Sequence, residues 1–238
     1  MGYFMIRIQD TQLKNYFTRQ FDNDVALVLL PKNNDALMIA KKFVLDAMES
    51  GVKQIIKIGS LGPWRLMHGQ FDSFIKESGI PYTSFDIAPL MSHIFIEQYK
   101  DKVLYDYRYN APAPYLDPRC LVRAIEQAVG NNTHYNKNYK CTGEKQYTIT
   151  DITDILDKND YPVDRIESTT NNKIHKMTFD NHDFLMMSKI ADHYKKGWYP
   201  QITTDMQVNF NLKSRSFEQF LLEDQNIYSI NHDADRYL

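Results

Sequence analysis

Residues 53–89 read KQIIKIGSLGPWRLMHGQFDSFIKESGIPYTSFDIAP. An apolar run, Gln54 to Ile58, ends in Gly59-Ser60-Leu61-Gly62. Beyond it Trp64, Met67, Phe71, Phe74 and Ile75 recur at helical spacing, Ser78-Gly79 supplies a stop, and a second strand-like run, Tyr82 to Ile87, follows Pro81. Strand, loop, helix, glycine stop, strand is the pattern of a βαβ unit in a parallel sheet. Such sheets gather ligands at the carboxyl ends of their strands, so the Ser60-Leu61 loop is the first place to look for function.

The same alternation extends upstream. Val25 to Leu30 (VALVLL) is almost wholly apolar, as a strand buried on both faces is. Asp35 to Ser50 carries Ala36, Ile39, Ala40, Phe43, Val44 and Ala47 on one helical face and ends at Gly51. Tyr3 to Ile8 reads as a short strand, and Asp10 to Phe21 as a helix with Leu13, Tyr16, Phe17 and Phe21 inward. Downstream, Leu90 to Glu97 is expected as a short helix and Asp101 to Pro114, rich in tyrosine and proline, as an ordered loop over a site. Cys120 to Val129 is expected as a helix, Pro162 to Ser168 as a strand and Phe179 to Lys196 as an amphipathic helix. The pattern predicts an α/β protein with a doubly wound, mostly parallel sheet. Residues 1–100 form its core, and 101–238 complete the sheet and add a small C-terminal α/β subdomain.

Composition excludes several function classes. The chain has 238 residues, 43% of them hydrophobic and 24% charged, and a net charge of −2. That is enough chain for a sizeable core. With no lysine or arginine run, a nucleic-acid backbone footprint is not expected. No apolar stretch approaches the ~18–20 residues of a membrane span. The two cysteines, Cys120 and Cys141, have no metal-ligand spacing, which points to a reduced, cytoplasmic protein without a metal site.

Lys57-Ile-Gly-Ser-Leu-Gly62, then His68 with Asp72 four residues on, then Ser78-Gly-Ile-Pro-Tyr-Thr83, resembles the NmrA-like branch of the atypical short-chain dehydrogenases. Further along, Asn138-Tyr-Lys-Cys-Thr-Gly143, Tyr147 to Leu156 and Lys213 to Leu221 are similar to that family's later strand, helix and C-terminal segment, so the resemblance spans roughly Asp24 to Asp224. It implies a Rossmann-like fold with a substrate-side subdomain. It also implies that Ala88, Pro89, Met91 and His93 correspond to the segment beside the nicotinamide, with His93 in place of an asparagine.

Two family features are absent. After Gly2 no glycine occurs before Gly51. The G-x-G-x-x-G loop that lets backbone approach a pyrophosphate is therefore missing, and the fold is expected to be a truncated Rossmann. No Tyr-x-x-x-Lys occurs anywhere, which argues against the ordinary tyrosine general acid. In addition, Phe85-Asp86-Ile87 stands where the family has Leu-Arg-Pro. An aspartate there disfavours an anionic cofactor.

The candidate site residues follow. Ser60 and Leu61 lie in the carboxyl-end loop, where Ser60 can donate to a ligand carbonyl. His68 and Asp72, one helical turn apart, are the candidate catalytic pair, the carboxylate holding an imidazole that moves a proton. They are equally an ordinary i,i+4 pair. Lys57 is either a buried cation facing the cleft or a strand-end lysine reaching water. Met91, His93 and Tyr115 complete the candidate ligand set, and Tyr105, Tyr107 and Tyr109 are further aromatic candidates. Asp117 and Arg119 are expected to pair or to cap the following helix.

Two functions fit. One is a non-catalytic small-molecule or protein-binding regulator that has lost its pyrophosphate loop and needs no cofactor. The other is an NAD(P)H-dependent oxidoreductase for a small aromatic or quinone-like substrate, using NADP or NAD and completed by another chain. A homodimer is expected: Tyr3 to Ile8 would pair in parallel with Val25 to Leu30 and form a new apolar sheet edge.

Overall fold

The structure, a computed structural model, describes residues 25–29, 36–62, 65–106, 108–168, 192–197 and 199–223. Tyr3 to Ile8, the helix expected from Asp10 to Phe21, and Tyr107 lie outside these residues, as does most of the stretch expected as a helix up to Lys196. Of that last stretch, 192–195 is helical. The chain divides into two compact units. The first takes residues through Ile87, Pro118–Cys141 and Thr203–Lys213; the second takes Ala88–Asp117, Thr142–Ile202 and Ser214 onward.

The first unit holds a four-stranded sheet, wholly parallel among the described residues. Its strands are β1 (Val25–Leu29), β2 (Gln54–Ser60), β3 (Tyr82–Ile87) and β6 (Lys137–Cys141), in that order across the sheet. One face carries α1 (Ala36–Glu49) and α2 (Arg65–Glu77). Ala26, Val28 and Ile55 meet Val44, Ala47, Phe71 and Ile75 there in one apolar cluster. The opposite face presents Phe85 and Tyr139 to Phe210 of α5 (Asp205–Phe210), at ring distances of 5.7 and 4.8 Å. Helices on both faces explain why β2 reads as a nearly unbroken apolar run.

α3 (Pro118–Ala128) belongs to this unit and joins the sheet through Gln54. The Gln54 amide donates to the Ala128 carbonyl at 3.0 Å and accepts from the Gly130 N–H at 2.8 Å. The outer edge of β6 is closed by the segment before α5: Asp205 accepts from the Lys140 N–H at 2.7 Å and Thr203 donates to the Lys140 carbonyl. Both edge groups of that residue are thus satisfied, which blunts an exposed strand. The neighbour expected for β1, Tyr3 to Ile8, is outside the described residues.

The second unit contains a three-stranded sheet of β4 (Tyr99–Lys100), β5 (Val103–Asp106) and β7 (Arg165–Ser168). β5 lies antiparallel to β4 and parallel to β7. Residues 101–114 are therefore not a loop throughout. Val103 and Leu104 are buried, paired with Lys100 and Tyr99 just before them and with Arg165 and Ile166 far along the chain. The helix expected over Leu90 to Glu97 is instead a π-helical turn, Ile94–Gln98, closed by the Tyr99 N–H on the Ile94 carbonyl. Adjacent Ile94 and Phe95 are both buried in it. Phe95 stacks on Phe217 of α6 (Phe217–Glu223) at 6.4 Å. Tyr147, Ile152 and Leu156 extend this core, the last two from α4 (Ile149–Lys158). α4 starts with a capping box in which Thr148 and Asp151 bond reciprocally. Tyr147 hydroxyl accepts from the Phe217 N–H at 3.1 Å.

At Gly143 two backbone stretches of the second unit pass close to each other. Its N–H reaches the Pro114 carbonyl at 3.0 Å, and a Cβ there would stand 2.0 Å from the Tyr115 carbonyl oxygen. Because that neighbour is backbone, no rotamer change relieves the clash. Gly143→Ala is expected to lower stability by about 3 kcal/mol or more. A urea midpoint unchanged from wild type would refute this.

Candidate functional site

β2, β3 and α2 bring three charged side chains together inside the first unit. Parallel register sets Lys57 opposite Ser84 and Gly59 opposite Asp86. Side chains two apart share a face, so Lys57, Ser84 and Asp86 all point toward α2. Lys57 is only 1% exposed. Of the two readings of this lysine, the structure shows the buried cation. Its Nζ donates to Asp72 Oδ1 from α2 and lies 3.8 Å from Asp86 Oδ1.

Gly59 makes the room. A Cβ there would sit 2.5 Å from Asp86 Oδ1 and 3.3 Å from Lys57 Cε. The glycine that ends this strand therefore admits a carboxylate. Ser84 Oγ is buried without a hydrogen-bond partner among the described residues.

Around this centre the sequence candidates fall as follows. Ser60 and Leu61 end β2, half-buried, with the Leu61 N–H donating to the Ile87 carbonyl at 2.7 Å and Ser60 Oγ at 3.4 Å from the Leu61 carbonyl. His68 and Asp72 are both on α2. The Asp72 carboxylate receives the Lys57 ammonium. Cys141 is buried, and burial, with Asp205 and Asp86 nearby, pushes its thiol well above the usual range; it is no thiolate nucleophile.

Met91, His93 and Tyr115 belong to the second unit. Met91 is buried in the core with Phe95 and Phe217, and its N–H bonds the Leu116 carbonyl at 3.0 Å. His93 is half-buried at the start of the π-helical turn. Tyr115 is fully buried. Its ring lies 4.6 Å below the Arg108 guanidinium, whose Nη2 donates to the phenol oxygen. Burial pushes the Tyr115 hydroxyl up to about 12, against the opposing pull of Arg108. Asp117 bonds Arg215 Nε at 2.6 Å, and Arg215 Nη1 reaches Glu223. Asp117 is therefore tied to the segment before α6, both within the second unit. Sequence reading missed Arg108 and the partners of Lys57.

No group of three or more His, Cys, Asp or Glu among the described residues is placed to hold a metal ion. No helix among them is long and apolar enough to cross a membrane.

No protein-family model matches the chain, and no curated protein matches it. Solved structures do. A nucleoside-diphosphate-sugar epimerase from Staphylococcus aureus is 18% identical over 91% of this chain and 81% of its own, with a TM-score of 0.67. A Citrobacter triphenylmethane reductase complexed with NADP(H) is 15% identical over 93% and 81%, at 0.65. NmrA, a negative transcriptional regulator, is 11% identical over 100% and 82%, at 0.65. These likenesses show a Rossmann-like α/β fold of the kind seen in NmrA and in these reductase and epimerase structures.

Two outcomes are expected. Lys57→Met leaves Asp86 buried without its cation and should lower stability by about 3–5 kcal/mol. Lys57→Met combined with Asp86→Leu should recover much of that loss in urea unfolding. A single variant as stable as wild type would refute the pairing. The second concerns base. Tyr115 titrates near 10 when unfolded and about 12 when folded. Its contribution is therefore fully present below pH 10 and lost as pH rises from 10 to 12, up to about 2–3 kcal/mol. Unfolding midpoints at pH 9 and 11 should differ less in Tyr115→Phe than in wild type.

Proposed function

We propose that this chain is a binding protein of the NmrA-like fold, a pseudoenzyme that acts through a small-molecule or protein partner. In this reading it does not transfer hydride. The supporting observation is the charged cluster at the carboxyl half of β2 and β3: one ammonium, Lys57, faces two carboxylates, Asp72 and Asp86. The cation is committed, and the space beside the glycine of that strand is filled by a carboxylate rather than open to a ligand. These residues do not suit an anionic dinucleotide. The described residues offer no glycine cradle in its place. Each charge-assisted hydrogen bond to a pyrophosphate is worth about 1.5–3 kcal/mol. Losing about 5 kcal/mol moves a micromolar site beyond millimolar.

The second reading is an NAD(P)H-dependent oxidoreductase acting on a small aromatic or quinone-like substrate and completed by another chain. It is favoured by the likeness to a reductase whose structure contains NADP(H) and to an NADPH-dependent quinone oxidoreductase from Escherichia coli, 12% identical over 87% of this chain. In either reading the protein is placed in the cytoplasm as a homodimer, joined along the sheet edge beside β1.

Fluorescence titration of the 238-residue chain with NADPH and with NADH separates the two. No saturation below millimolar is expected. A low-micromolar dissociation constant for either cofactor would overturn the first reading and support the second.

A further inference from the structure

α1 is apolar on more of its surface than the sheet beneath it covers. Its sequence, ALMIAKKFVLDAME, holds only four polar residues, Lys41, Lys42, Asp46 and Glu49. Val44 and Ala47 turn inward, in one apolar cluster with Ala26 and Val28 of β1. Met38, Leu45 and Met48 turn outward and are 67%, 50% and 49% exposed. Spaced seven and three residues apart, they share one outer stripe of the helix. A helix apolar all round is ordinarily a buried one.

This exposure is concentrated. The other large apolar side chains exposed among the described residues, Ile166, Ile202, Val208 and Leu222, stand singly on four separate segments. Single exposed apolar residues are ordinary on a protein surface, whereas several on one face mark a contact. The charges of α1 are sorted along the same helix. Lys41 and Lys42 lie in its first half, Asp46 and Glu49 in its second. Lys42 pairs with Asp46 one turn on, at 2.8 Å, but the lysine is 75% exposed. A pair so open to water contributes little, and both groups can take a second partner. Lys41 lies 5.8 Å above the Phe74 ring of α2.

We infer that the outer face of α1 is a contact surface between two copies of this chain, the helices antiparallel across a two-fold axis. Beside a parallel copy, lysine would face lysine and acid would face acid. Beside an antiparallel copy, Lys41 and Lys42 face Asp46 and Glu49 twice over, and Met38 of each helix comes opposite Met48 of the other. A patch that complements itself under a half-turn is what an isologous interface requires. The sign pattern therefore selects a second copy over an unrelated partner. One helix face, about 21 Å long and about 10 Å wide, is smaller than the roughly 800 Å² per partner of a standard interface, so the dimer is weak and concentration-dependent. This deepens the homodimer reading above and rests on it: α1 packs on β1 and so flanks the edge named there. It uses none of the residues of the cofactor argument.

Sedimentation velocity of the whole chain over a concentration series tests this. Wild type should pass from monomer to dimer as concentration rises. Leu45→Glu should weaken the dimer at least tenfold, while a dilute sample melts as wild type does. Lys41→Glu with Lys42→Glu makes the helix wholly acidic, and Asp46→Lys with Glu49→Lys makes it wholly basic. Each double variant should be monomeric alone, and the two mixed should form a heterodimer. A chain monomeric throughout overturns the inference and leaves the stripe to a partner of another kind. A dimer that Leu45→Glu leaves intact also overturns it; if deleting residues 1–9 then disperses that dimer, the strand-edge reading stands without α1. Should Leu45→Glu melt well below wild type, the charge variants decide. Either of them dimerising alone as wild type does, or no heterodimer on mixing, overturns the inference.

Discussion

The Lys57 ammonium is the interaction on which the first unit's carboxyl end depends. A lysine in the middle of an apolar strand has to find anionic partners inside the protein or leave the core. Here it finds Asp72 across the helix–sheet interface and Asp86 on the next strand. The pairing ties α2 to the sheet near the ends of β2 and β3. It requires a glycine at 59, because any side chain there would collide with Asp86.

The Arg108 loop in the second unit follows the opposite logic. Around Lys57 opposite charges are side chains of the same unit, and the cluster closes on itself. Around Arg108 the available carboxylate is spent on two backbone N–H groups. That choice holds Tyr109 and Asn110 left-handed, at φ 53° and 57°.

Much of the fold was legible because its signals are local. The strand–loop–helix–strand of residues 53–89 follows from apolar periodicity and the Ser78-Gly79 stop, and the structure places β2, α2 and β3 there. β5 was read as loop because its longer pairing, with Arg165–Ser168, is non-local, and its local partner, Tyr99–Lys100, is only two residues long. α5, of six residues, is too short for periodicity to reveal and is located by Phe210 filling the space beside His134, at 4.7 Å between ring centres. At the site, Lys57 stood out as a charge in an apolar run, and so did Asp86. Only strand register shows that they share a face. Arg108 sat unremarked among tyrosines, since nothing in the letters distinguishes a solvated arginine from a buried one.

The order in which the chain visits the two units bears on how the protein is made. Neither unit is one continuous stretch, so no single cut releases either of them. During synthesis β1, β2 and β3 precede both α3 and α5, and Phe85 meets its ring partner Phe210 only when that residue arrives. At typical translation rates of about 5–20 residues per second, that interval is on the order of ten seconds. Over that time the parallel sheet carries an apolar face that α3 and Tyr139 cover only in part. The nascent chain, more than the finished protein, is then the species most exposed to misassociation and most in need of a chaperone's cover.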